Sequence, residues 1–408
     1  MVREGNGQDQ GADVAVLHVL HEIFAVPSGR GHRFPAVRVA AGLLIPLLVL
    51  ILLGRTDLTL CAIFGSLTGV FGRTEPHWRR LRHQTLSGVL MCLTVVAGVS
   101  MSVAGRSDWE VVAAATLVAG VISVAADALR VRPAGPFTYI FAFTATAAAP
   151  FSGSIGEAAL AVSGSVLTAV LLGVAGRLHA RTHTPGLQPR TPPRTLRQRA
   201  PRPDWTRILM HSGRYVAAVA AAGSLALLLG PGHSYWAMLA ACSPIAAADA
   251  ARAPLRAGHF ILGTYAGVLL SALLLQPDCT PVQLAVLLAL LQFGGEMYVI
   301  RNYGLAMVFL TPVALLMTGF VSTQSVWDLT VDRAVETTIG ALVAVVVILL
   351  TTGKGAERMT RVLRVEARQG GRLRELSPAP GTAPSNCGKR ASLEAHGPEI
   401  PVTHLRRP

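Results

Sequence analysis

Arginine is the residue type in this chain with the most chemistry to offer. Its guanidinium stays charged and is expensive to hold near hydrocarbon, so an arginine at the edge of an apolar run must face water, a lipid headgroup, a carboxylate or an anionic substrate. Two arginines match by position. Arg38 opens an apolar run that closes at Gly54, and Arg214 opens one that closes at Gly230, sixteen residues on in each case. Arg80 and Arg256 make a second matched pair. Such pairs would ring the mouth of a path for anions. The plainer alternative is anchoring, with each side chain snorkelling to lipid phosphates.

The acids add a smaller set. Asp249 stands three residues before Arg252, a helical spacing that suits an ion pair at a helix end or a gate. Glu296, in Gly294-Gly295-Glu296-Met297, precedes Arg301 by five residues and is placed to carry a coupling proton. Asp127 and Glu336 are similar boundary acids. Other chemistry finds little footing. His18, His21 and Glu22 have ligand-like spacing but fit the polar face of an amphipathic helix better than a metal site. The five cysteines are scattered without a CxxC pair, which argues against zinc or a disulfide framework. Gly353-Lys354-Gly355 lacks the upstream glycine and the Ser/Thr of a phosphate-binding loop. The expectation is no enzyme, no metal and no cofactor.

The elements that must position these residues follow from composition. Only 14% of the 408 residues are charged, 51% are hydrophobic, and the apolar residues come in long blocks. An ordinary soluble enzyme is excluded, and lipid is the solvent for most of the chain. A net charge of +14 would suggest nucleic acid for a soluble protein. Here the positive charges punctuate hydrophobic blocks, where they set orientation, and no nucleic-acid partner is expected.

Apolar runs long enough for helices occur at Ala36–Gly54, Leu58–Gly72, Thr85–Ala104, Val111–Ala126, Gly135–Phe151 and Glu157–Gly176. A second set occupies Ser212–Gly230, Tyr235–Ala250, Gly258–Leu275, Val282–Met297, Tyr303–Val321 and Ala334–Thr352. The expected fold is an all-α polytopic membrane protein of about twelve transmembrane helices, a duplicated six-helix unit over 36–176 and 208–352. Since six is even, both halves enter from the same side, as a parallel repeat. The interval Arg177–Arg207, with eight Arg and six Pro, reads as an extended basic linker (177–207). Residues 1–35 carry an interfacial amphipathic helix around Val16–Phe24, and 353–408 form a basic, partly disordered tail. Loops on one side hold nearly all the basic residues, while those on the other hold only Arg55, Arg106 and Arg333. The positive-inside rule therefore predicts a plasma-membrane protein with both termini cytoplasmic.

The second half carries the most specific pattern. Tyr235-Trp236-Ala237 opens one span, Arg256 follows, and Gly263-Thr264 with Gly267 lies in the next. Arg301-Asn302-Tyr303 comes later, with Ala306 and Thr311-Pro312 downstream. This pattern resembles the fusaric-acid-resistance-like family of integral membrane transporters, which includes aromatic carboxylic acid exporters and is similar in its six-helix unit to aluminium-activated malate transporters. The resemblance implies efflux of small organic anions, passive or proton-coupled, with membrane lipids as surroundings and a homo-oligomer left open. It adds Asn302 and Tyr303 to the candidate pathway residues. The first half departs from the pattern: no Tyr-Trp pair precedes Ala62, and Thr85-Leu86-Ser87-Gly88 stands where the Gly-Thr motif would be. An anion channel and a non-transporting accessory subunit are the other readings.

Overall fold

A computed structural model describes residues 33–175, 204–230, 235–246, 253–274, 279–319 and 326–351. The interfacial helix, most of the basic linker and the tail lie outside these residues, as do Asp249 and Arg252. The described chain is helical throughout, with no strand among the described residues. Its first half holds α1 (Arg33–Leu52), α2 (Thr59–Ser66), α3 (His77–Val103), α4 (Asp108–Ala128), α5 (Phe137–Ala148) and α6 (Ile155–Ala175). The second half holds α7 (Trp205–Leu229), α8 (Tyr235–Ile245), α9 (Ala253–Leu274), α10 (Pro281–Tyr298), α11 (Tyr303–Gly319) and α12 (Val326–Thr351).

Seven of these (α1, α3, α4, α6, α7, α9 and α12) are long and apolar enough to cross a membrane. A helix needs about 20 residues to span roughly 30 Å of hydrocarbon. The chain is therefore a multi-pass membrane protein. Helices α2 and α8, at eight and eleven residues, are too short to cross alone. Every residue of both is buried, so each is a central post wrapped by longer helices. Two 3₁₀ turns, Thr56–Leu58 and Leu67–Val70, extend α2 at its ends.

The duplication is visible in how helices pack. Within the first half α2 lies on α6, α3 on α5 and α6, and α1 on α2 and α6. In the second half α8 lies on α12, α9 on α11 and α12, and α7 on α8 and α12. The contacts between halves recur too: α4 packs on α7 and α10 on α1, while α5 meets α8 and α11 meets α2. Even the caps match. Ser107 with Glu110 closes a capping box at the start of α4, and Thr280 with Gln283 closes one at the start of α10.

Small residues allow the closest crossings. A Cβ on Gly267 would sit 2.7 Å from the Thr311 Cβ, so only glycine lets α9 approach α11 this closely. The apolar runs underestimated several helices. α3 starts at His77, eight residues before Thr85, and α12 starts at Val326, eight before Ala334. Backbone hydrogen bonds continue past the first polar side chain, whereas a hydropathy run stops there.

Candidate functional site

At one end of the bundle, helix starts and ends meet that carry most of the matched arginines; this is the basic end. Arg38 Nη2 donates to the Arg73 carbonyl, 3.0 Å away, in the turn after α2. Arg80 donates through Nη1 to Gly173 O at the end of α6 and through Nη2 to Glu75 O, both at 2.9 Å. Arg256 Nε donates to Ser243 O near the end of α8, at 2.8 Å. Arg80 and Arg256 thus serve carbonyls near helix ends, where a cation complements the negative end of a helix dipole, while Arg38 serves a carbonyl in a turn. The matched pair Arg80 and Arg256 makes the same kind of contact in both halves.

Their surroundings differ. Arg80 is held by backbone alone, whereas Arg256 also lies over the Tyr303 ring, 4.0 Å from its centroid. The Tyr303 hydroxyl is 2.9 Å from Ser243 Oγ, so Arg256, Ser243 and Tyr303 form one cluster joining α8, α9 and α11. Asn302 is a helix cap: its Oδ1 accepts from the Leu305 N–H at 2.9 Å. Arg301 is half-buried at the end of the α10–α11 turn.

The two interfaces between halves are closed by different chemistry. Where α10 meets α1, Glu296 forms a buried ion pair with Arg73, and Gln292 Nε2 donates to Glu296 Oε1 at 3.1 Å. Arg73 also donates to the Glu296 carbonyl at 3.1 Å. Burial pulls the Arg73 guanidinium down to about 10, which still leaves it charged near neutral pH. Where α4 meets α7, the corresponding acid is Asp127, 2.8 Å from His211 Nδ1. Here the helices part. A cleft of about 790 Å³ opens, lined among others by Asp127, Arg130, Arg207, His211, Arg214 and Tyr215. Arg214 is half-buried, and its Nε is shielded from solvent without a hydrogen-bond partner. Arg38, its counterpart by position, faces no such cleft but is turned onto the Arg73 carbonyl. Equivalent positions have diverged in use.

Beyond the cleft floor the second half holds a feature that apolar-run reading placed in an outer loop. Arg333 lies inside α12, 1% exposed, with its guanidinium 4.0 Å from the centroid of Trp236 on α8. Its Nε and Nη1 make no hydrogen bond. Each such buried donor costs about 1–3 kcal/mol in desolvation, and stacking on indole returns only part of that. Glu336, one turn on and fully buried, supplies counter-charge within electrostatic reach. The signal was present in the sequence as a cation and an anion three apart beside the last apolar run, a helical spacing.

At the end opposite the cleft, an ion-paired cluster lies at the rim. Arg55 is 2.9 Å from Asp57 and 2.7 Å from Glu157. Hydrogen bonds to Asp57 and then Glu157 raise the Arg55 guanidinium above its ordinary value, and the Arg55 bond holds Asp57 below the usual carboxylate range. The pair fastens the α1–α2 turn to the start of α6.

Comparison with known proteins gives a partial likeness, confined to part of the chain. Residues 219–347 match the family model described as fusaric acid resistance protein-like. The match runs through α8 to α11 and most of α12, taking in Trp236, Arg256, Glu296, Tyr303, Arg333 and Glu336. An uncharacterized membrane protein of Bacillus subtilis (strain 168), YvaC, is 34% identical over 116 residues, which is 28% of this chain and 18% of that protein. The chain thus aligns with under a fifth of that relative's length. No solved structure matches.

Proposed function

We propose that this protein is a plasma-membrane carrier that exports small organic anions, aromatic carboxylates foremost, with its basic end and both termini in the cytoplasm. The observation that carries the reading is the cleft between α4 and α7. It is an opening of about 790 Å³ at the arginine-rich end, presenting Arg130, Arg207 and Arg214 where an anion would arrive. An organic carboxylate loses hydration on entering, and a guanidinium fork replaces it with paired hydrogen bonds. The aromatic face of Tyr215 lines the cleft where a ring would follow. The family resemblance of residues 219–347 supports transport over catalysis.

A carrier fits better than a channel because, among the described residues, buried side chains close the floor of the cleft. Tyr215 at its wall is fully buried, and beyond it every residue of α8 is buried. Alternating exposure of such a site needs rocking of one half on the other, and the two interfaces, one ion-paired and one cleft-forming, provide unequal hinges. The test is efflux of preloaded 4-hydroxybenzoate and benzoate from cells that express the protein, against cells that do not. Faster efflux from the expressing cells supports the carrier; rates equal in the two kinds of cell, for both acids, favour the accessory-subunit reading.

A further inference from the structure

The second half buries one cation that the cleft does not use. Arg333 is enclosed by α8 and α12, its Nε and Nη1 lack hydrogen-bond partners, and its open face is covered by Trp236. Glu336 lies one turn along the same face and is fully buried. The first half has no counterpart: sixteen-residue matching of Arg38 with Arg214 carries Arg333 onto Glu157, which is spent at the rim on Arg55. A buried guanidinium with two donors that the protein itself leaves unbonded has the chemistry to take a carboxylate, and a buried acid one turn away has the chemistry to compete for it.

Resting on the transport reading above, we infer that Arg333 is the deep carboxylate-binding residue and that Glu336 is its proton-coupled competitor. In the resting protein Glu336 compensates Arg333. When a substrate carboxylate reaches the Arg333 donors, two carboxylates share one guanidinium in a low-dielectric setting, and both cannot stay ionised. The more deeply buried acid takes the proton. Glu336 carboxylate plus one proton from water at the open mouth becomes the carboxylic acid, and the substrate remains the anion. On release, Glu336 returns its proton as it pairs with Arg333 again. Anion and proton therefore travel together, with no net charge moved, and export proceeds where the outward anion gradient exceeds the inward proton gradient.

Among the described residues, few titratable groups surround Glu336. Tyr235 faces it from α8, and Arg333 and Asp332 belong to its own helix. Tyr303 reaches Arg333 from α11. From α9, Tyr265 is engaged with Thr338 at 2.7 Å. Helix α7 carries no titratable side chain after Tyr215.

The experiment is calorimetric titration of the purified full-length protein with benzoate, near pH 7, in two buffers of different ionisation enthalpy. Wild type is expected to take up about one proton per benzoate bound. Glu336→Gln should bind benzoate with no proton uptake, and Arg333→Gln should lose most of the affinity. Binding by wild type without proton uptake overturns the inference and leaves the carrier standing, as does undiminished uptake in Glu336→Gln. Absence of benzoate binding by wild type removes the carrier reading itself. If Glu336→Gln does not fold, the infrared difference spectrum of wild type on adding benzoate decides: a new buried carboxylic acid band supports the inference, and its absence overturns it.

Discussion

Arg73 and Glu296, 223 residues apart in the chain, meet as a buried ion pair that ties the turn after α2 to the end of α10. Removing one partner strands the other charge away from water. Glu296→Gln should therefore destabilise the purified protein by about 3–5 kcal/mol, read as a lower melting temperature in detergent. Replacing both, with Arg73→Met and Glu296→Leu, should recover most of that loss. A Glu296→Gln variant as stable as wild type would mean that this carboxyl is already protonated, and would return Glu296 to the list of proton carriers.

Arg130 adopts a left-handed backbone, φ 55°, where α4 ends beside the cleft. A side chain there costs about 1 kcal/mol that glycine avoids. Arg130→Gly should raise stability by about that amount while slowing anion efflux, because it removes one of the arginines at the mouth. A gain in stability with unchanged efflux would make Arg130 a bystander.

Gly267 faces Thr311 across the α9–α11 crossing. Gly267→Leu should separate these helices and lower stability by about 1–3 kcal/mol through overpacking. It should also disturb the Arg256–Tyr303 stacking that the same two helices carry. Tyrosine and tryptophan fluorescence with a thermal melt checks both parts; an unshifted melt would show that the crossing is looser than the backbone indicates.

Much of the architecture was legible from residue pattern alone. The order of long and short apolar runs, the repeat from Arg38 to Gly54 and from Arg214 to Gly230, and the Gly263–Gly267 spacing all correspond to helices and crossings. What was not legible has a common cause: hydropathy marks where a helix meets lipid, not where it begins or what it encloses. Arg333 interrupts an apolar run and so read as an outer-loop residue, although it stands two turns inside α12 against Trp236. Likewise Arg38 and Arg214 match in spacing, yet tertiary packing turned one onto a carbonyl and left the other in a cleft. Asp249 and Arg252 lie outside the described residues, so their pairing stands as an expectation.

Orientation is testable at two exposed positions. Ala134 lies at the basic end between α4 and α5, and Ser152 at the opposite end between α5 and α6. In a cysteine-free background, Ser152→Cys should react with an impermeant maleimide added to intact cells, and Ala134→Cys only after permeabilisation. The reverse pattern would place the cleft outside and make uptake the natural direction.

The central claim is that arginines at the basic end receive the anion, and its most direct measurement is 4-hydroxybenzoate efflux from cells holding matched, membrane-inserted amounts of wild type and of Gln and Lys variants at Arg214, in the cleft, and Arg256, beside Tyr303. Both Gln variants should lose at least about tenfold in rate, the scale of one charge-assisted hydrogen bond. The Lys variants should recover only part, because an ammonium keeps the charge but lacks the planar fork. Wild-type efflux through correctly inserted Gln variants would contradict the claim and leave these arginines as helix-end anchors.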